Sequence, residues 1–221
     1  MPAGGLTVPA VLDRRADEFG DRVMMSIAGT PVTFAQMRDR SCAAANVLTG
    51  LGVDHGDTVA LFTGTCPVWV YFWLGAARIG AVTAAVNAAS KGEFLSHALR
   101  LSRAKVVITD RERHPRLDQV SDTVITLRST LVQGDSLTER LQKASSEAPQ
   151  RRPSSPDDVG ALFFTSHRPA AADSIPSFDF SERAPLPLVR RSQRRCRRPI
   201  HPFEAPHLDL LRRGRGSEVL I

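Results

Sequence analysis

Four apolar runs without alternation constrain this chain more than any other feature. They cover residues 58–62, 81–87, 105–110 and 159–165. A strand with one wet face alternates apolar and polar residues, whereas an unbroken run suits a central parallel strand buried on both faces. Helical spacings lie between the runs. Val8, Val11, Leu12, Ala16 and Phe19 follow three- and four-residue steps, and Gly20 comes directly after them. A hairpin is expected from 23–27 and 31–34 around Ala28-Gly29-Thr30. Thr33 with Gln36 three residues later forms a capping box. It opens a helix whose stripe of Phe34, Met37, Ser41, Ala44, Leu48 and Leu51 is small enough to pack closely on a sheet. Pro67 suits a first helical position, for a helix to about Ile79. Another helix is expected over 93–103, with Phe94, Leu95, Ala98 and Leu101 on one face. A short helix over 115–120, a strand over 124–127 and a helix over 137–143 continue the alternation. A polar loop over 151–156 precedes the last run.

Alternation of this kind predicts an α/β fold with a partial, mostly parallel sheet covered by helices. Ligands of such sheets bind outside the carboxyl ends of the strands. The loops after Phe62, Asn87, Asp110 and Thr165 are therefore the expected site.

Composition narrows the choice. The chain is 42% hydrophobic, which excludes whole-chain disorder. Its three cysteines, Cys42, Cys66 and Cys196, form no C-x-x-C pair, so neither a disulfide framework nor a zinc site is expected. The most apolar stretch, 68–86, approaches the roughly 20 residues of a spanning helix. Arg78 interrupts it at a cost of about 3 kcal/mol in a bilayer, so a buried helix followed by a buried strand is expected instead. No basic residue precedes Arg14 and no leader-type apolar run follows it. Reduced cysteines in a cytoplasmic protein are the expectation.

The charge is unevenly distributed. Of the net +6, a net of +5 lies in residues 167–221, which hold 11 arginines, six acids and seven of the 15 prolines. This segment lacks Lys, Asn, Thr, Tyr, Met and Trp altogether. Residues 1–166 are expected to form the folded domain and 167–221 an irregular, disordered tail.

The stretch with the most chemical content is Asp157 to Ser166. An acidic turn leads into a buried strand that ends in two hydroxyls, Thr165 and Ser166. Two neighbouring hydroxyls end many ordinary strands; followed by glycines they would cradle phosphate oxygens with backbone N–H groups. Here His167, Arg168 and Pro169 come next, and the next glycine is Gly214. The six histidines form no recognisable triad, and Asp157-Asp158 reads as a solvated turn. No catalytic and no metal-binding residue is assigned.

Residues 6–166 resemble the start of the adenylate-forming, AMP-binding superfamily, in particular its acyl-CoA ligases. The resemblance rests on five stretches in order. Thr33-Phe34-Ala35-Gln36-Met37 is similar to that family's early T-[YF]-x-[EQ]-[LM] helix start, and Gly56-Asp57-Thr58-Val59-Ala60 to its G-D-x-V-A strand entry. Leu74 to Val82 is similar to L-A-x-x-[KR]-x-G-A-V, with Asn87 where the family often has P-x-N. Glu93 to Asp110 matches a helix–strand stretch that keeps Ser102, Ala104, Lys105 and Asp110. Asp158 to Ser166 resembles the strand entering the phosphate loop T-S-G-T-T-G-x-x-K. The resemblance implies ATP-dependent activation of a carboxylic (fatty) acid to acyl-AMP, then thioester formation with CoA, with magnesium. It implies nucleotide contacts for Thr165 and Ser166 alone.

The loop's Gly, Thr, Thr, Gly and Lys are absent, so a truncated, inactive ligase is expected, with a change of reading frame just after Ser166. A second reading stays open, in which the tail belongs to a non-catalytic binding or basic interaction protein. Arg190 to Arg198 packs six arginines into nine positions, enough to attract phosphate backbones without sequence preference. No specific nucleic acid is expected. An incomplete sheet would leave an unpaired edge open to self-association.

Overall fold

The computed structural model describes residues 7–27, 29–164 and 172–176. Helix α1 (Val8–Phe19) is capped by the Thr7 hydroxyl and leads into a hairpin, β1 (Val23–Ile27) and β2 (Thr30–Thr33). Helix α2 (Phe34–Gly50) starts with the expected box. The Thr33 hydroxyl accepts from the Gln36 N–H, and the Gln36 carboxamide accepts from the Thr33 N–H. Strands and helices then alternate: β3 (Thr58–Phe62), α3 (Pro67–Arg78), β4 (Val82–Ala85), α4 (Gly92–Ser102), β5 (Ala104–Thr109), α5 (His114–Ser121), β6 (Ser129–Val132), α6 (Asp135–Lys143), β7 (Val159–Phe164) and β8 (Ala172–Pro176).

One six-stranded sheet carries the fold, in the order β6-β5-β3-β4-β7-β8. The first five strands are parallel and β8 runs antiparallel to β7. The α/β expectation holds. Strand β8 falls in the segment expected to be irregular; residues 167–171 and 177–221 lie outside the described residues.

Strand β3 sits at the centre, and all five of its residues are buried. Its alternate side chains feed two cores. Val59 and Leu61 join α1, α2, α3 and α6 on one face. Ala60 and Phe62 join α4 and α5 on the other. Each large side chain so buried contributes about 1.5–3 kcal/mol. Between β3 and β5 parity shifts at Lys105, where β5 bulges: Thr58 pairs with Ala104 but Val59 with Val106. The displaced Lys105 ammonium donates to the Gly52 carbonyl and the Asp57 carboxylate, both at 2.6 Å, and fastens the loop that enters β3.

The small stripe on α2 shares one core with Val59, Leu61, Val106 and Ile108 of the sheet, and its Ala44, with Ala45 beside it, meets Gly75 of α3. The interruption at Arg78 has a structural use: the guanidinium is buried and bonds bidentately to Asp13 of α1, at 2.6 and 3.1 Å, while its Nε donates to Ser41 at 2.8 Å.

Three elements depart from expectation. No strand forms over 124–127; Val124 packs into the α4–α5 core, Ile125 is 92% exposed, and the strand comes later, as β6. On α4 the buried stripe is Leu95, Ala98, Leu99 and Ser102, while Phe94 is 79% exposed. Strand β7 is not buried on both faces. Leu162 and Phe164 pack on the α4–α5 core, but Phe163 on the opposite face and Val159, before the irregularity at Gly160, are each 41% exposed.

Candidate functional site

The parallel strands deliver their loops to one edge, and the structure ties three of the four expected loops together there. The link is Asp110, the first residue after β5. Its carboxylate accepts from the backbone N–H of Gly64 in the loop after β3, at 2.9 Å. It also accepts from the backbone N–H of Arg113 at 2.9 Å and from the Arg113 guanidinium at 2.7 Å. Arg113 Nε then donates to the carbonyl of Ala88, in the loop after β4, at 3.1 Å, and Arg116 reaches the same carbonyl at 3.3 Å. In that loop Asn87 accepts from the Ala89 N–H at 2.9 Å, closing an Asx turn. In the loop after β3, Thr63 donates to the Gly64 carbonyl at 2.9 Å and lies 3.7 Å from the Cys66 sulfur.

Burial alone would push the Asp110 carboxyl up. The N–H groups of Gly64 and Arg113 and the Arg113 guanidinium outweigh it and hold the carboxyl below its ordinary value. A carboxylate depressed in this way stabilises the fold above its unfolded-state value and loses that contribution as pH falls through the folded value. Acid titration of stability should therefore show a loss below about pH 4 that Asp110→Asn flattens. At neutral pH the same substitution should cost about 1–2 kcal/mol in urea denaturation. An unchanged acid limb in the variant would remove Asp110 from this role.

The fourth expected loop comes after β7. Strand β7 is parallel to β4, with Phe163 opposite Ala85, so it runs toward the same edge. Thr165 and Ser166 themselves lie outside the described residues. The described part of the edge does not fit a triphosphate or its metal. The Gly64 N–H is taken by Asp110, and Arg113 is engaged by Asp110, Glu112 and Ala88. Among the described residues, no group of three or more His, Cys, Asp or Glu is placed to hold a cation.

The acidic turn before β7 works at the opposite edge. Asp158 accepts from the Ser155 N–H at 2.7 Å and lies 3.0 Å from His55 Nε2. The Ser155 N–H bond, opposed by burial and helped by His55, holds the Asp158 carboxyl below its usual range. The imidazole covers Gly80, whose φ is +68°; a Cβ there would come within 2.1 Å of the ring's Cδ2. Asp158 is thus a fastening, while Asp157 beside it is exposed, as expected of a solvated turn. Burial pushes the Cys42 thiol up, in keeping with a small apolar core residue.

A family profile described as AMP-binding enzyme matches residues 12–166. The chain belongs to the AMP-binding enzyme family. Its relatives include the crotonobetaine/carnitine–CoA ligase of Salmonella paratyphi B, 25% identical over 178 residues that cover 74% of this chain and 34% of the relative. Among solved structures, the N-terminal domain of FACL13 from Mycobacterium tuberculosis is similar with a TM-score of 0.71 and 28% identity, over 78% of this chain and 44% of that one. The anthranilate CoA ligase AuaEII, solved with anthranoyl-AMP, shares the fold with a TM-score of 0.71 at 22% identity, over 78% and 34%. The chain spans about a third of the length of the curated relatives it matches. No described helix is long and apolar enough to cross a membrane.

In the Glu93–Asp110 stretch the structure gives three residues a scaffold role. Lys105 holds the β3 entry, Ser102 donates to the Leu99 carbonyl in the last turn of α4, and Asp110 joins the loops. Sequence reasoning did not find Arg113. The signal was available in its spacing, since a cation three residues after a strand-ending Asp can fold back onto it across one turn.

Proposed function

We infer that residues 12–164 build the first part of an acyl-CoA ligase catalytic domain, and that the parent reaction is ATP-dependent activation of a carboxylic acid to acyl-AMP followed by transfer to CoA. The observation that supports this reading is the joined carboxyl edge. Loops after β3, β4 and β5 are fixed to one another by Asp110 and Arg113, and β7 points to the same edge with Thr165 and Ser166 next in sequence. In this reading Thr165 and Ser166 contact nucleotide phosphate, and the parent substrate is a small carboxylic acid. The chain itself completes no ligation, because His167, Arg168 and Pro169 stand where glycine N–H groups would have to turn toward phosphate. Magnesium belongs to the parent reaction and is not held productively by this chain. A cytoplasmic setting agrees with unpaired Cys42 and Cys66.

The test is direct. The purified chain, given ATP, CoA and a panel of fatty and aromatic acids, should form no acyl-CoA; measurable turnover would refute the inactive reading. Isothermal titration with ATP and an acyl-AMP analogue separates a retained partial pocket from an inert scaffold. Translation of the nucleotide sequence beyond the Arg151 codon in all three frames should recover a glycine-rich loop in another frame. If no frame does so, the arginine-rich 190–198 segment becomes the functional part, and salt-dependent nucleic-acid binding lost on deleting 167–221 would establish it.

A further inference from the structure

Strand β8 closes an edge that β7 would otherwise leave bare. The hazard of that edge lies in the sequence of β7. Val159-Gly160-Ala161-Leu162-Phe163-Phe164 holds no charge and no proline. Such segments add to copies of themselves when their backbone groups are open. Leu162 and Phe164 pack on the α4–α5 core, whereas Phe163 on the other face is 41% exposed. The far end of the sheet differs, since Leu131 of β6 is buried with Leu137 and Leu141 of α6.

The register fixes which backbone groups meet β8. The N–H groups of Val82 and Val86 donate to the Asp57 and Leu61 carbonyls, at 2.8 and 3.1 Å, so the even-numbered positions of β4 bond toward β3. Thr83 and Ala85 are left for β7, where Leu162 sits between them. Ala161 and Phe163 therefore turn their N–H and C=O groups toward β8, opposite Ile175 and Asp173. On β8 the same alternation turns the backbone of Ala172, Ser174 and Pro176 outward. Pro176 has no N–H to offer there, and a proline with an acid, Asp173, is a composition that guards sheet edges.

We propose that β8 is an intramolecular strap: by pairing with Ala161 and Phe163 it denies the β7 edge to β7 of a second copy of this chain. The contact is autoinhibitory toward self-association. It gives residues 172–176 a role in the fold whatever the origin of the segment.

Hydrogen exchange on the full chain, at about 5 μM, should find the Ala161 and Phe163 amides protected. Asp173→Pro removes an N–H that bonds Phe163, and should speed exchange at both amides by about tenfold. Ser174→Pro removes an outward N–H and should leave them unchanged. Far-ultraviolet circular dichroism should stay close to wild type in both variants, because Ser154 and Asp158 still hold the amino end of β7. At about 200 μM the two amides of Asp173→Pro should regain protection, and sedimentation velocity should show more dimers or larger species than in wild type, since a second copy now supplies the strand. Wild-type amides at Ala161 and Phe163 that exchange as freely as exposed loop amides would overturn the proposal. So would equal effects of Asp173→Pro and Ser174→Pro, or an Asp173→Pro chain that loses protection yet associates no more than wild type. Should Asp173→Pro fail to fold, Ile175→Pro, which removes the N–H that bonds Ala161, decides in its place.

Discussion

Asp13→Ala should lose about 3 kcal/mol of unfolding free energy, and it should lose more than Arg78→Met. The order runs against the usual expectation that the deeper residue matters more. Arg78 has a side chain only 4% exposed, whereas Asp13 is 42% exposed. Removing Asp13 leaves a guanidinium buried between α1 and α2 with Ser41 as its remaining side-chain partner. An unpaired buried charge has no water to fall back on. Removing Arg78 instead leaves a carboxylate that water can reach, and methionine fills much of the vacated space. Arg78→Met should therefore cost about 1 kcal/mol. Urea denaturation of the two variants decides the matter. Equal losses, or the reverse order, would mean that the pair acts through something other than the desolvated guanidinium.

The second large effect is expected at Gly75. An added Cβ would lie 2.9 Å from both Ala44 Cβ and the backbone nitrogen of Ala45. One of these is main chain inside a helix and cannot step aside alone. Helix propensity favours alanine over glycine by about 1 kcal/mol, which offsets part of the overpacking in Gly75→Ala and leaves a net loss of about 1 kcal/mol. Valine gains less from propensity and brings three heavy atoms into a gap without room for one. Gly75→Val should lose about 3 kcal/mol. Ala44→Gly should relieve either variant only in part, because the Ala45 nitrogen remains. Full rescue would show that the methyl–methyl contact alone sets the approach of α2 to α3.

The success of sequence reasoning came from local determinism. The β3 run, the Thr33–Gln36 box and Pro67 at the start of α3 carry their own physical signals, and the structure contains each as expected. The failures occur where a neighbour decides. Residues 124–127 are apolar enough for a strand, yet the ladder beside β5 begins only when the Arg128 N–H meets the Lys105 carbonyl. On α4 two stripes one residue apart compete, and the sheet selects Leu95, Leu99 and Ser102 over Phe94 and Leu101. For β7 the run shows only that its residues are apolar, and which helices reach it depends on the strand order. The site was half legible for the same reason. Topology pointed to the loops that the structure joins through Asp110, but the reach of Arg113 to the Ala88 carbonyl depends on a segment that only the fold brings to it.

The fastenings around β7 have a consequence for how such a domain tolerates change. The loop before the strand is pinned at its amino end: Ser154 bonds the Ala77 carbonyl through both its N–H and its hydroxyl, and Asp158 grips His55. The amino end of β7 is thus held by segments that precede it, while β8 pairs along its other side. Substitutions in the loop directly after Phe164 would therefore leave this amino-terminal anchorage of β7 in place, so the loop is free to vary while the strand keeps its position.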